Sequence, residues 1–139
     1  MTEFISEVKT ILHSDADVFR VLSDLRQLES VRDRIPGDKL SDLSFNENEV
    51  SFRVDPIGKV TFLVEDREPN KMVKFKSQKL PFDVFLWIQL SAKAEKDTRL
   101  RLTVRADLNP FIRGMVQQPM QEMVDKISEA LAQLPYDQL

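Results

Sequence analysis

Apolar and polar residues alternate along the chain from Leu40 to Asp107, and a three-and-four spacing replaces that pattern afterwards. The alternating apolar positions are Leu43/Phe45, Val50/Phe52/Val54, Val60/Phe62/Val64, Val73/Phe75, Leu86/Ile88/Leu90 and Leu100/Leu102/Val104. Residues two apart on a strand share a face, so each run predicts a strand with one face turned to a core. The connectors Glu47-Asn48, Asp55-Pro56-Ile57-Gly58, Glu68-Pro69-Asn70-Lys71, Lys79-Leu80-Pro81-Phe82 and Lys96-Asp97-Thr98 are short enough for antiparallel hairpins. Near the N-terminus Phe4, Ser6, Val8 and Thr10 alternate with Ile5, Glu7 and Lys9, which predicts a first strand over 4–12.

Two helical regions flank this block. Ser14-Asp15-Ala16-Asp17 resembles a capping box with Asp in place of Glu, and Asp24 offers a second cap, so two short helices are expected over 15–23 and 25–34. Pro36-Gly37 closes them. After the last strand Asn109 is a good N-cap and Pro110 suits the first helical position. Ile112, Val116, Met120, Met123, Ile127, Leu131 and Leu134 then form one apolar stripe, and Pro135 ends it. A helix over 110–134 would be roughly 37 Å long. Pro119 removes an internal hydrogen bond at a cost of about 3 kcal/mol, and Gly114 weakens the preceding turn. Gln118 is a poor cap for a fresh start at Pro119, so one kinked helix is predicted.

Register tests the strand reading. Setting Glu68 against Lys71 pairs Val64 with Phe75 and Phe62 with Ser77. A three-residue loop at 96–98 pairs Leu90 with Val104 and Ala92 with Leu102. On the other face it sets Lys93 by Arg101, Ser91 by Thr103 and Gln89 by Arg105. One face comes out apolar and the other polar, as a sheet covered on one side requires. The strand Asp83 to Ala94 departs from this, since Phe85 and Trp87 point outward next to Phe82. Either Trp87 lies on Arg105, or the three aromatics form a homodimer contact.

Composition narrows the function. The chain has 139 residues, 42% apolar and 31% charged, ordinary values for one globular domain spanning 1–139. It contains no cysteine, which removes disulfides and thiol chemistry and suits a cytoplasmic location. A net charge of −3 with interleaved signs gives no footprint for nucleic acid. No apolar run approaches the roughly 20 residues of a membrane span. The N-terminal M-T-E-F-I-S-E-V-K has neither a basic region nor an uninterrupted apolar one, so no signal peptide is expected.

No catalytic signature stands out. His13 is the only histidine and has no cysteine or second histidine to share a metal or a triad, so neither a metal nor a cofactor is predicted. Asp15 and Asp17 are explained by the helix dipole, and the three glycines are too dispersed for a phosphate loop. Asp66, read as facing inward near a strand end, and Asp83 at the mouth of the sheet are the candidate bases for an enzyme. The inward positions Phe52, Phe62, Phe75, Leu86, Ile88, Leu90, Leu102, Val104, Val116, Met120 and Met123 suit either a filled core or the wall of a ligand cavity. Ser6, Thr10 and Ser77 are the few inward polar groups, candidates for orienting a ligand or holding a buried water.

The element order and the stretch S-E-V-K-T-I-L-H-S-D-A-D-V-F-R-V-L-S-D-L, Ser6 to Leu25, resemble the START-like or SRPBCC superfamily, as does L-N-P-F-I-R before the last helix. The resemblance covers essentially the whole chain. It implies an α+β helix-grip fold: a curved seven-stranded antiparallel sheet around a long C-terminal helix, with two short helices after the first strand. It also implies a cavity for a hydrophobic or amphipathic small molecule, lined by the inward residues above. A binding or carrier role is therefore expected rather than an enzyme. A cyclase- or hydratase-like enzyme using Asp66 or Asp83, and an interaction module using Phe82, Phe85 and Trp87, are the alternatives.

Overall fold

The computed structural model describes residues 1–34, 41–54 and 58–139. The expected Pro36-Gly37 stop and most of the Asp55–Gly58 turn lie outside the described residues. Among the described residues eight strands form one antiparallel sheet: β1 Thr2–Ile5, β2 Lys9–Ile11, β3 Ser41–Phe45, β4 Glu49–Val54, β5 Gly58–Glu68, β6 Met72–Gln78, β7 Val84–Ala94 and β8 Asp97–Ala106. Their order is β1-β8-β7-β6-β5-β4-β3, with β2 also paired to β8. Helix α1 spans Asp15–Leu22, a 3-10 helix follows over Leu25–Arg34, and the long helix α2 covers Pro110–Ala132.

The expected first strand is two strands, which makes the sheet eight-stranded rather than seven. Thr2 to Ile5 pair with Ala106 to Thr103, whereas Lys9 to Ile11 pair with Leu100 to Thr98, so one extra residue lies between the two runs. At the break the Ser6 amide donates to the Leu102 carbonyl and Ser6 Oγ accepts the Leu102 N–H, both at 2.9 Å. A one-residue slip moves every following side chain to the opposite face. Ile11 is therefore buried while Val8 and Thr10 are exposed, and Thr10 is not the inward hydroxyl expected.

Two other registers differ from expectation. Beyond Val64–Phe75 and Phe62–Ser77, which pair as predicted, a bulge at Glu65 shifts β5 so that Asp66 meets Lys74 on the outer face. Asp66 is exposed and does not face the core. Between β7 and β8 the turn is Glu95-Lys96, so Leu90 lies opposite Leu100 and Ala92 opposite Thr98. On the outer face Gln89 faces Arg101, Ser91 faces Arg99 and Phe85 faces Arg105. This pairing differs from the predicted one by four residues. An even displacement leaves every residue on its own face, so apolar patterning is blind to it.

The caps form as their chemistry demands. Ser14 Oγ accepts the Asp17 N–H at 3.1 Å and Asn109 Oδ1 accepts the Ile112 N–H at 2.9 Å, each relieving a free amide in the first turn. Between β5 and β6 Pro69 precedes Asn70, whose φ of 62° supplies the left-handed conformation a type II turn needs at its third position. Helix α2 runs unbroken through Pro119, about 34 Å for its 23 residues, with Val116, Met120, Met123, Val124 and Leu131 buried. It packs against β1, β2 and β8, at one edge of the sheet. The 3-10 helix meets β3 at the other edge. Arg20 holds the chain end to α1, donating to the carbonyls of Leu139 at 2.6 Å and Tyr136 at 3.2 Å.

Candidate functional site

Helix α2 makes its closest approach to the sheet along β1, β2 and β8. The space left is a cavity of about 110 Å³ whose wall, among the described residues, is apolar throughout. The strand floor supplies Phe52, Val60, Phe62, Phe75, Ile88, Leu102 and Val104, the inward members of their alternating runs. Phe52 and Phe62 sit side by side because Phe52 pairs with Val60 and Val50 with Phe62; their rings stack at 5.9 Å between centroids. Met120, Met123, Val124 and Ile127 face them from α2.

Nine of the eleven expected wall residues line the cavity; Leu90 and Val116 do not. Both are buried, Leu90 opposite Leu100 on β8 and Val116 near the start of α2, where the core is filled. The expectation omitted Leu22, Leu25 and Leu28, which close one end from α1 and the 3-10 helix. Their three-residue spacing was readable, but a helix face was not assigned. It also omitted Leu80 and Phe82, read as connector residues, which turn onto the wall beside Val84.

The polar groups near the core are committed elsewhere. Ser77 Oγ accepts the Val84 N–H at 3.0 Å, and Ser6 Oγ donates to the Glu7 carbonyl while accepting from Leu102. Neither lies on the wall. His13 gives its carbonyl to the Thr98 hydroxyl at 2.8 Å, and its ring meets Tyr136 edge-on at 5.7 Å between centroids. Asp66 and Asp83 are exposed and off the wall. Among the described residues no group of acidic, histidine or cysteine side chains could hold a metal. Outside the cavity, the Arg26 guanidinium beside Asp24 holds that carboxyl below its ordinary value.

The aromatic cluster divides. Phe82 faces the cavity, whereas Phe85 and Trp87 lie half-buried on the outer face, 6.0 Å apart. Lys74 Nζ sits 5.0 Å from the Phe85 ring and 5.3 Å from that of Trp87, and the Arg105 guanidinium is 5.9 Å from the latter. Those cations cover the rings and account for their position without a partner.

Tyr136 is fully buried and its hydroxyl donates to the Leu131 carbonyl. Burial pushes the phenol far above its ordinary 10.0. The folded state then keeps a proton that the unfolded chain releases above pH 10, so this group leaves stability unaffected below pH 10 and lowers it above. The loss should reach a slope of up to about 1.4 kcal/mol per pH unit. Urea unfolding between pH 8 and 11 should show that decline, and Tyr136→Phe should remove its share of the slope after costing about 1 kcal/mol at neutral pH. An identical slope in the variant would refute the assignment.

No family model matches the sequence, and no curated protein matches it. Solved structures do. A protein from Thermus thermophilus is 20% identical, with 94% of each chain covered and a TM-score of 0.67. A START superfamily protein from Mycobacterium smegmatis is 12% identical over 94% of each chain, at a TM-score of 0.68. Norcoclaurine synthase from Thalictrum flavum, solved with dopamine and hydroxybenzaldehyde, is 14% identical over 99% of this chain and 89% of its own, at 0.67. No helix among the described residues is long and apolar enough to cross a membrane. With the curved sheet gripping α2, these likenesses identify the architecture: the chain has the START-like helix-grip fold.

Proposed function

We propose that this chain is a single START-like domain over 1–139 that binds or carries an apolar or amphipathic small molecule in the cytoplasm, in the cavity between sheet and α2. The observation that carries the reading is the apolar void itself. Protein interiors are close-packed, and an unfilled space forfeits contacts at a cost of about 24 cal/mol per Å³. A void of about 110 Å³ therefore amounts to roughly 2.6 kcal/mol that a ligand can return. Affinity would come from burying apolar surface at about 25 cal/mol per Å².

The ligand-binding residues in this reading are Phe52, Phe62, Phe75, Leu86, Ile88, Leu102, Val104, Met120 and Met123, with Leu25, Leu28 and Phe82 added from the wall. Methionines suit such a wall, since their flexible thioethers adapt to different shapes. The enzymatic alternative would need Asp66 or Asp83 at the ligand, and both stand away from the cavity. The homodimer alternative retains only Phe85 and Trp87 of its three aromatics.

Native mass spectrometry of the protein isolated from its own host tests the reading. A co-purifying small molecule, released on unfolding, is the expected result. Protein that arrives empty and also takes up no apolar probe would sink it.

A further inference from the structure

Resting on that binding reading, we infer that the cavity selects hydrocarbon surfaces and rejects ligands that must bury a hydroxyl or amine. Among the described residues the wall is built from Leu, Val, Ile, Phe, Met and Ala side chains alone. Nearby hydroxyls already hold partners within the protein and lie off the described wall. Ser77 takes the Val84 N–H, Ser6 bridges Leu102 and Glu7, and Ser128 donates to the Asp125 carbonyl at 2.8 Å. Tyr136 is likewise bound to Leu131. Among the described residues no buried side-chain nitrogen or oxygen lacks a hydrogen-bond partner.

A polar group drawn into this space leaves its water partners and gains none from the described wall. Octanol, which can form hydrogen bonds, penalises such a group by up to about 30-fold, whereas a solvent that cannot form them penalises it by about 1,000-fold or more. The cavity belongs to the second kind. Its volume of about 110 Å³ is below the 300–1,000 Å³ of pockets for drug-sized ligands. It suits one small ring or a short branched chain, close to the roughly 150 Å³ apolar cavities that take benzene or xenon. The ligand class is thus a compact hydrocarbon, or the hydrocarbon end of a larger molecule whose polar end stays outside.

Toluene and phenol test this, being nearly equal in shape and differing by a methyl against a hydroxyl. Both are titrated into the wild-type protein and followed by methyl shifts of the wall residues in two-dimensional NMR. Toluene should bind more tightly than phenol by over 30-fold. A ratio of 30-fold or less, with both moving the same wall signals, would overturn the selectivity and leave the binding reading standing. Uptake of neither compound would defeat the binding reading itself.

Discussion

Replacing Met120 with tryptophan should abolish uptake of a small apolar ligand while the protein stays folded. Met120 is 2% exposed and reaches the cavity from α2, opposite the phenylalanine floor. A larger side chain there projects into existing space, so the usual overpacking cost of about 1–3 kcal/mol is reduced. The indole N–H finds no acceptor on the described wall, a penalty of about 1–3 kcal/mol. Filling the void offsets it by up to about 2.6 kcal/mol, from 110 Å³ at about 24 cal/mol per Å³. Net stability should therefore change little while the ligand site vanishes. Circular dichroism and thermal unfolding check the first half, and toluene titration the second. A folded variant that binds toluene as the wild type does would show that ligands go elsewhere.

Phe75→Ala should be the most damaging single substitution on the cavity floor. Phe75 is 1% exposed, and its strand neighbours across the sheet are Val64 and Leu86. Truncating a buried phenylalanine costs about 3–5 kcal/mol, part lost burial and part enlarged void. For a chain of this size that lowers the unfolding midpoint by about 10–20 °C. Since the void grows, benzene at saturating concentration should restore part of the loss, by about 2.7 kcal/mol at one hundred times its dissociation constant. A variant that melts like the wild type would mean the floor is not continuous with the core.

The alternation of Val60/Phe62 or Leu100/Leu102/Val104 marks inward faces because side-chain direction on a strand has a period of two, and burial selects for it. That made most of the cavity floor legible from residues alone. Pairing was less legible. The β7–β8 register differs by four residues from the expected one, and no inward or outward position changes as a result. The split of the first strand was hidden for a different reason: a serine side chain took a backbone partner, and Ser6 carries no pattern that distinguishes it from any other strand serine. Leu80 and Phe82 were hidden by Pro81, whose turn-forming character masked the apolar residues on either side. Whether the inward residues met in a filled core or around a void was invisible, because both need the same apolar side chains. The helix position decides it.

That position also divides the residues of one continuous core by the task they serve. Phe4, Ile11, Leu100 and Val116 belong to the elements that seat α2 against β1, β2 and β8, and none touches the cavity. Phe52, Phe62 and Phe82 line the cavity from strands and a turn that face α2 across it. Pairs drawn from the two groups that share no contact combine nearly additively in their effects. The lining can therefore drift in size and shape through single substitutions while the frame holds the helix in place. An architecture arranged this way permits new ligand preferences to arise stepwise in its descendants, each step remaining a folded protein.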